Sequence, residues 1–301
     1  TPTVRPGGAA GRVQVVATYS ILGDFVRHVG GEQVELHTLV GPGEDTHTFE
    51  PSPADGVALT RAALIFENGL GFDAWLDKLY TVSGSRARRV VVTAGLPPLQ
   101  AAEHADEHHR EKQEVHTDEH AAGGLDPHVW HDVRNAMHMV GMIRDALIQA
   151  DPANAETYRA NAERYLAELQ ALDAWIVEQV QTVPESRRKL VTTHDTFRYF
   201  AHRYGFTVVG TVLGANTTDA ADPSAAEFAA LVKEIKATGV PAIFAENVNN
   251  PRLMHRLAAE TGVTLGPTLY TDALGQPGSD GETYVKMMRS NVTAIVTALR
   301  R

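Results

Sequence analysis

From Arg12 onward, short apolar runs alternate with amphipathic stretches, the pattern of parallel sheets with helices packed on them. Residues 13–18 read as a strand, and Ser20 to Val29 as a helix that stops at Gly30 and Gly31. A second strand at 34–40 runs into a loop, 41–53, whose glycines and prolines forbid regular structure and whose centre presents His47. The alternation then predicts a helix at Pro53–Ala62, a strand at 63–69, a helix at Asp73–Val82, a strand at 88–94 and, after an interruption, a helix at Val133–Ala150.

Asp151 and Pro152 form an N-cap and first-turn pair. Beyond them Tyr158, Ala162, Tyr165, Leu169, Leu172, Ile176, Val180 and Val183 recur at steps of three and four. One amphipathic helix to Val183 would span about 48 Å, longer than a single domain needs. It reads as a stiff spine between two lobes. The second half repeats the first plan: strands at 189–194, 206–214, 241–247 and 263–270, and helices at Thr196–Tyr204, Ser224–Thr238, Pro251–Thr261 and Asp280–Arg301. The expected fold is therefore α/β, with a parallel sheet flanked by helices in each lobe. The lobes are residues 1–150 and 184–301, and the backbone helix is 151–183.

Composition narrows the function. The chain has 301 residues, 43% of them hydrophobic, and no apolar run approaches the roughly 20 residues of a membrane span. A net charge of −10 argues against nucleic acid and suits a protein that attracts cations. No cysteine is present, so thiolate metal sites, disulfides and an acylated-cysteine anchor are excluded for the residues given. The Pro-, Gly- and Ala-rich residues 1–12 look like the frayed start of an exported chain whose signal peptide has been removed.

Histidine carries the candidate chemistry. Seven of the 14 histidines, His104, His108, His109, His116, His120, His128 and His131, fall between Glu103 and Asp132 among many carboxylates. Up to His120 the tract is polar and aperiodic, a loop at about 101–124 offering several weak, exchanging metal positions. After Gly124 the motif Asp126-Pro127-His128, with Trp130 following, is a fixed site on structured chain. His47, His128, His194 and Asp272 all stand where a strand runs out or beside a turn, the end at which parallel sheets bind ligands. Three neutral imidazoles and one carboxylate make a tetrahedral set for zinc, whereas manganese prefers more oxygens. Glu246, ending its strand, is expected to orient an imidazole from outside that set. Glu44, Asp45 and Glu50 are expected to shape the field near His47, and 214–224 to be a mobile loop that gates the cleft. His131, three residues past His128, is either an alternate ligand or a surface residue, and the surface is the expected place. His28, His37, His138, His202 and His255 lie among apolar neighbours and read as packing or surface residues, as do Met137, Met139 and Met142.

Residues 18–55, 125–132, 190–206, 224–250 and 269–275, in that order, resemble the metal-binding solute receptors of ABC importers, specifically the zinc group of the ZnuA and AztC type, cluster A-I. The resemblance implies two α/β lobes on a rigid helix with one transition metal buried between them. It places His47 in the family's His-Thr-aromatic-Glu-Pro motif, His128 in Asp-Pro-His-x-Trp and Asp272 at the closing carboxylate. His194 stands where zinc members keep histidine and manganese members usually carry glutamate. The acidic, histidine-rich loop is likewise typical of zinc members, while His131 departs from a usual leucine.

The function expected on this basis is a monomeric periplasmic receptor that binds Zn2+ with high affinity and delivers it to an ABC permease, with a periplasmic zinc chaperone as a further candidate partner. A manganese or iron receptor of the same fold remains open. So does a zinc hydrolase, although Asp272 would fill the open coordination position a hydrolase needs and no His-Glu-x-x-His motif is present. An adhesin-like surface role is a further alternative that the sequence does not test.

Overall fold

The computed structural model describes residues 11–101 and 124–300. The first-half strands β1 (Val13–Tyr19), β2 (Val34–Val40), β3 (Leu64–Glu67) and β4 (Arg88–Val91) form one parallel sheet in the order β2-β1-β3-β4. Its helices are α1 (Ser20–Gly30), α2 (Pro53–Arg61), α3 (Trp75–Ser83) and α4 (Val133–Ala150). Gly31, at φ 52, ends α1 in a backbone conformation that side-chain-bearing residues rarely adopt. Ser52 and Asp55 close a capping box at the start of α2, with Pro53 in the first turn.

Asp151 does not cap the long helix, whose N-cap position is Asn154; its carboxylate instead takes hydrogen bonds from Asn154 Nδ2 at 2.7 Å and Tyr158 Oη at 2.8 Å. Asp151 opens a 3-10 turn, Pro152–Asn154, and the long helix α5 runs from Ala155 to Gln181. Its 27 residues span about 40 Å, shorter than the pattern predicted. The buried stripe is the predicted one, with Tyr158, Ala162, Leu169, Leu172 and Ile176 wholly enclosed. Burying each large aliphatic of that stripe contributes about 1.5–3 kcal/mol.

The second half holds β5 (Lys189–Thr192) paired in parallel with β6 (Thr207–Thr211), and β7 (Ala242–Ile243) paired in parallel with β8 (Thr264–Leu265). One bond, Phe244 N–H to Val191 O at 3.0 Å, links the two pairs. Around them lie α6 (Arg198–Tyr204), α7 (Ala225–Thr238), α8 (Arg252–Thr261) and α9 (Tyr284–Arg300). A reciprocal Ser224–Glu227 box starts α7, and Gly239 at φ 64 ends it.

The last helix does not stay with its own half. α9 packs on α5 and α1, so one buried core runs from Phe25 and Val29 through Leu169 and Ile176 to Met288 and Ile295. Phe25 meets Tyr284 edge-to-face at 4.9 Å. Asp24 of α1 accepts the Tyr284 N–H at 3.0 Å, capping α9 from the opposite half. Two lobes are thus tied behind the cleft by a shared core. Met139 lies in that core with Met137 and Met142 against it, as packing residues.

Candidate metal centre

His47 sits in the loop after β2, and its position is set by Asp45, whose Oδ1 accepts the His47 N–H at 2.9 Å. His128 follows the Asp-Pro turn that precedes the short 3-10 turn Val129–His131. His194 follows β5, and Asp272 lies beyond β8, after the bridge that pairs Glu246 with Leu269. The four come from segments far apart in sequence. Each nevertheless offers one donor atom within 4.8 Å of the others'.

Asp272 is the hub. Its Oδ2 stands 3.1 Å from His194 Nε2 and 3.3 Å from His47 Nε2, and its Oδ1 stands 3.6 Å from His128 Nε2. His194 and His128 approach to 3.3 Å through their Nε2 atoms. His128, His194 and Asp272 are fully enclosed, and the His47 side chain is only 8% exposed. His47 Nε2 and Asp272 Oδ2 have no hydrogen-bond partner although both are buried. Buried polar atoms left in this state are costly unless something else engages them.

Carboxylates outside this set fix the imidazoles. Asp126 Oδ1 accepts from both the backbone N–H of His128, at 3.0 Å, and its Nδ1, at 2.8 Å. Glu246 Oε2 pairs with His194 Nδ1, while its Oε1 takes the N–H groups of Thr193 and His194 at 2.8 and 2.9 Å. In the neutral form of each ring, the one that binds a metal, Nδ1 therefore keeps the proton and Nε2 presents its lone pair to the cluster. Glu246 thus meets an imidazole from outside the four-residue set. Asp126 was missed, although its place two residues before His128 is the signal that could have found it.

The site's electrostatics follow from burial and these pairs. Burial opposes charge on His194, but Glu246 and Asp272 overturn that and hold its pKa well above the ordinary histidine value. Burial likewise favours a neutral Asp272, yet the His194 and His128 imidazoles keep its pKa well below the carboxylate range. An aromatic wall of Phe72, Trp130 and Tyr19 excludes water on one side, with Phe72 4.9 Å from His47. Asn68 clamps that wall, accepting from Tyr19 Oη at 3.0 Å and donating to Pro127 O at 3.0 Å.

Both halves of the chain meet around the cluster. Trp130 Nε1 donates to Thr271 O at 3.0 Å, and Tyr284 Oη to Trp130 O at 2.6 Å. Across the mouth, Thr218 Oγ1 donates to Asp45 Oδ2 at 2.5 Å, and Asp195 N–H to Ala215 O at 2.7 Å. The 214–224 loop thereby touches the two loops that carry His47 and His194.

His131 is not at the surface. It is fully buried, its ring tilted 32° against Phe197 at 4.6 Å, with Nε2 3.2 Å from Thr196 Oγ1. The surface expectation rested on the i+3 spacing from His128 alone. The His128–His131 segment instead enters the space between the halves, where the start of α6 covers its far side. Burial drives the His131 pKa down to about 3, so the ring is neutral. His28 stacks on Tyr165 at 4.0 Å and His138 bonds to Ala94 O at 2.8 Å, packing roles as expected. The loop histidines His104, His108, His109, His116 and His120 lie outside the described residues.

Comparison with known proteins is decisive at the family level. The family model of ZnuA, the periplasmic component A of a zinc-uptake complex, matches residues 15–298. The chain belongs to this family. It is 36% identical over 288 residues to the manganese-binding lipoprotein MntA of Halalkalibacterium halodurans, covering 95% of this chain and 88% of that one. It is 31% identical over 296 residues to the metal ABC transporter substrate-binding lipoprotein FimA of Streptococcus parasanguinis, covering 97% and 91%. Among solved structures, the periplasmic zinc-binding protein TroA of Treponema pallidum superposes with a TM-score of 0.83 at 30% identity, covering 97% of this chain and all of that one. The two-lobe fold with parallel sheets is the fold of this family. ZnuA-family proteins are solute receptors of metal ABC importers rather than enzymes, and such a receptor works with a membrane permease. No helix among the described residues is long and apolar enough to cross a membrane.

Proposed function

We propose that this ZnuA-family chain is a periplasmic zinc receptor that holds one Zn2+ ion through His47, His128 and His194 Nε2 and Asp272 and passes it to an ABC permease. The observation that carries the reading is the donor set: three imidazoles, two of them locked with Nε2 inward, and one ionised carboxylate in a sealed, water-poor cluster. A divalent ion there leaves a net charge of about +1 on the ligand set, beside the buried side chains of Asp126 and Glu246 that hold two of the imidazoles. Residues 1–150 and 184–301 serve as the lobes, and 151–183 as the backbone that keeps them in register. Parting the lobes would separate His47 and His128 from His194 and Asp272 and break the Thr218–Asp45 contact at the mouth. The 214–224 loop is in this reading a gate. The receptor acts as a monomer, with a periplasmic zinc chaperone as a second partner.

A manganese receptor is the second reading, because MntA at 36% identity bears that name. The donor set separates them: manganese selects oxygen-rich, higher-coordinate sites. In competition with a chromophoric chelator, zinc should outcompete manganese by at least about a thousandfold, in line with the affinity order of nitrogen-rich sites. Comparable affinities for the two ions would return the manganese reading to first place.

The tract 103–120 would collect further zinc ions weakly through His104, His108, His109, His116 and His120. Deleting it should lower zinc stoichiometry to one and leave the tight site's affinity within about twofold, since no ligand or orienting carboxylate is removed. Loss of the tight site on deletion, read by calorimetry, would show that the tract is part of it.

A further inference from the structure

His131 and Thr196 form a polar pair that the ligand set does not use. Both are fully buried, and they come from opposite halves of the chain. His131 Nε2 lies 3.2 Å from Thr196 Oγ1, and Thr196 Oγ1 lies 3.4 Å from Asp272 Oδ1. His131 Nδ1 has no hydrogen-bond partner. A buried N–H without an acceptor is the costlier orphan, so the proton belongs on Nε2, where it has one. His131 then donates to the Thr196 oxygen. The threonine hydroxyl hydrogen is left with one acceptor in reach, Asp272 Oδ1. The Thr196 main chain is fixed as well, its N–H bonding to His194 O at 3.1 Å.

We propose that His131 and Thr196 are positioning residues that keep Asp272 a one-oxygen ligand, and that this relay biases the site toward four-coordinate zinc over manganese. This rests on the metal site assigned above. Of the two Asp272 oxygens, Oδ2 has no hydrogen bond and faces two imidazole Nε2 atoms at 3.1 and 3.3 Å. Oδ1 is held by the hydroxyl and stands 3.6 Å from His128 Nε2. For Asp272 to bind through both oxygens, Oδ1 would have to leave Thr196. The hydroxyl would lose its acceptor in a dry interior, and the His131 bond would no longer be relayed. A one-oxygen carboxylate with three imidazoles gives the four ligands zinc takes. A two-oxygen carboxylate adds the fifth donor that suits manganese.

The test uses the full chain with Zn2+, Mn2+ and Co2+ as probes, the last because its visible spectrum separates four- from five-coordinate sites. Thr196→Val replaces the hydroxyl by a methyl of the same size. It should lower the zinc-over-manganese affinity ratio about tenfold, the lower end of what orienting partners are worth, and weaken the cobalt bands as the coordination number rises. Thr196→Ser should restore both. His131→Leu should shift ratio and spectrum the same way. Combining it with Thr196→Val should add little, since both cut one relay. Unchanged ratio and cobalt spectrum at the tight site in Thr196→Val and His131→Leu, each still holding one tightly bound zinc, would overturn the relay and leave the metal site standing. Additive losses in the double variant would overturn the coupling of the two residues. A wild-type chain with no tight site, taking up metal only weakly or not at all, would overturn the site assignment and the relay together.

Discussion

Replacing His194 by alanine should weaken zinc binding by at least about a hundredfold, because orienting partners alone are worth ten- to a hundredfold and this change removes a ligand itself. The loss has two parts. One nitrogen donor disappears from a set of four. Glu246 is also left as a buried carboxylate without its imidazole, keeping the N–H groups of residues 193 and 194 and, at 3.4 and 3.5 Å, the longer bonds from Thr271 Oγ1 and Asn249 Nδ2. Water could enter the space as a fourth ligand, but it cannot be oriented by Glu246 as the ring is. At fixed free zinc, a hundredfold loss removes ~2.7 kcal/mol of ligand stabilisation, so the rise in Tm on adding zinc should shrink accordingly. Exchanging His202, which lies on α6 outside the cluster, for alanine should change neither quantity. Chelator competition and thermal unfolding with and without zinc read both effects. Unchanged affinity and stoichiometry in the His194 variant would refute the ligand assignment.

The elements that the pattern of apolar residues could locate are those whose ends are decided locally. α4 runs from Val133 to Ala150, as the periodicity predicts, with Asp132 accepting the Arg134 N–H at its start. α1 ends at its glycines for an equally local reason. Elsewhere tertiary contacts moved the boundary. The predicted strand 189–194 stops at Thr192 because the next two N–H groups turn to the Glu246 carboxylate. The helix predicted from Asp73 begins at Trp75, since Asp73 folds back to accept the N–H groups of Asn68 and Gly69. The closing helix begins at Tyr284 rather than Asp280, at the residue whose N–H meets Asp24. In each case the partner is a carboxylate whose location no window of sequence reveals.

The site divides the same way. His47, His128, His194 and Asp272 were legible because each follows a strand or turn, where a parallel sheet delivers side chains to one edge. Their convergence was legible only through the family resemblance, since spacing in sequence says nothing about distance across a cleft. His131 shows the cost of reasoning from one element alone. Which face of the segment is buried depends on Phe197 and Thr196, which arrive from the other half of the chain.

Exchanging Glu246 for glutamine, which keeps the shape and removes the charge, should lower zinc affinity about ten- to a hundredfold at pH 8. The dependence of that loss on pH identifies its cause. In the metal-free protein Glu246 and Asp272 hold the His194 pKa well above the usual value, against burial. Zinc must therefore displace a proton, and affinity rises with pH until that raised pKa is passed. Without the glutamate charge, burial has less to oppose it and the ring binds its proton more weakly. The variant's affinity should then level off at a lower pH than the wild type's, so the deficit is largest in alkaline buffer and narrows as pH falls. For stability the sign runs the other way. A histidine whose folded pKa is raised contributes most below its unfolded value and loses that contribution as pH rises through the folded pKa. The metal-free wild type should accordingly lose more stability than the variant on going alkaline, while its zinc complex gains. A deficit in zinc affinity that stays constant from pH 6 to pH 9 would mean that Glu246 only packs against the ring and does not tune it.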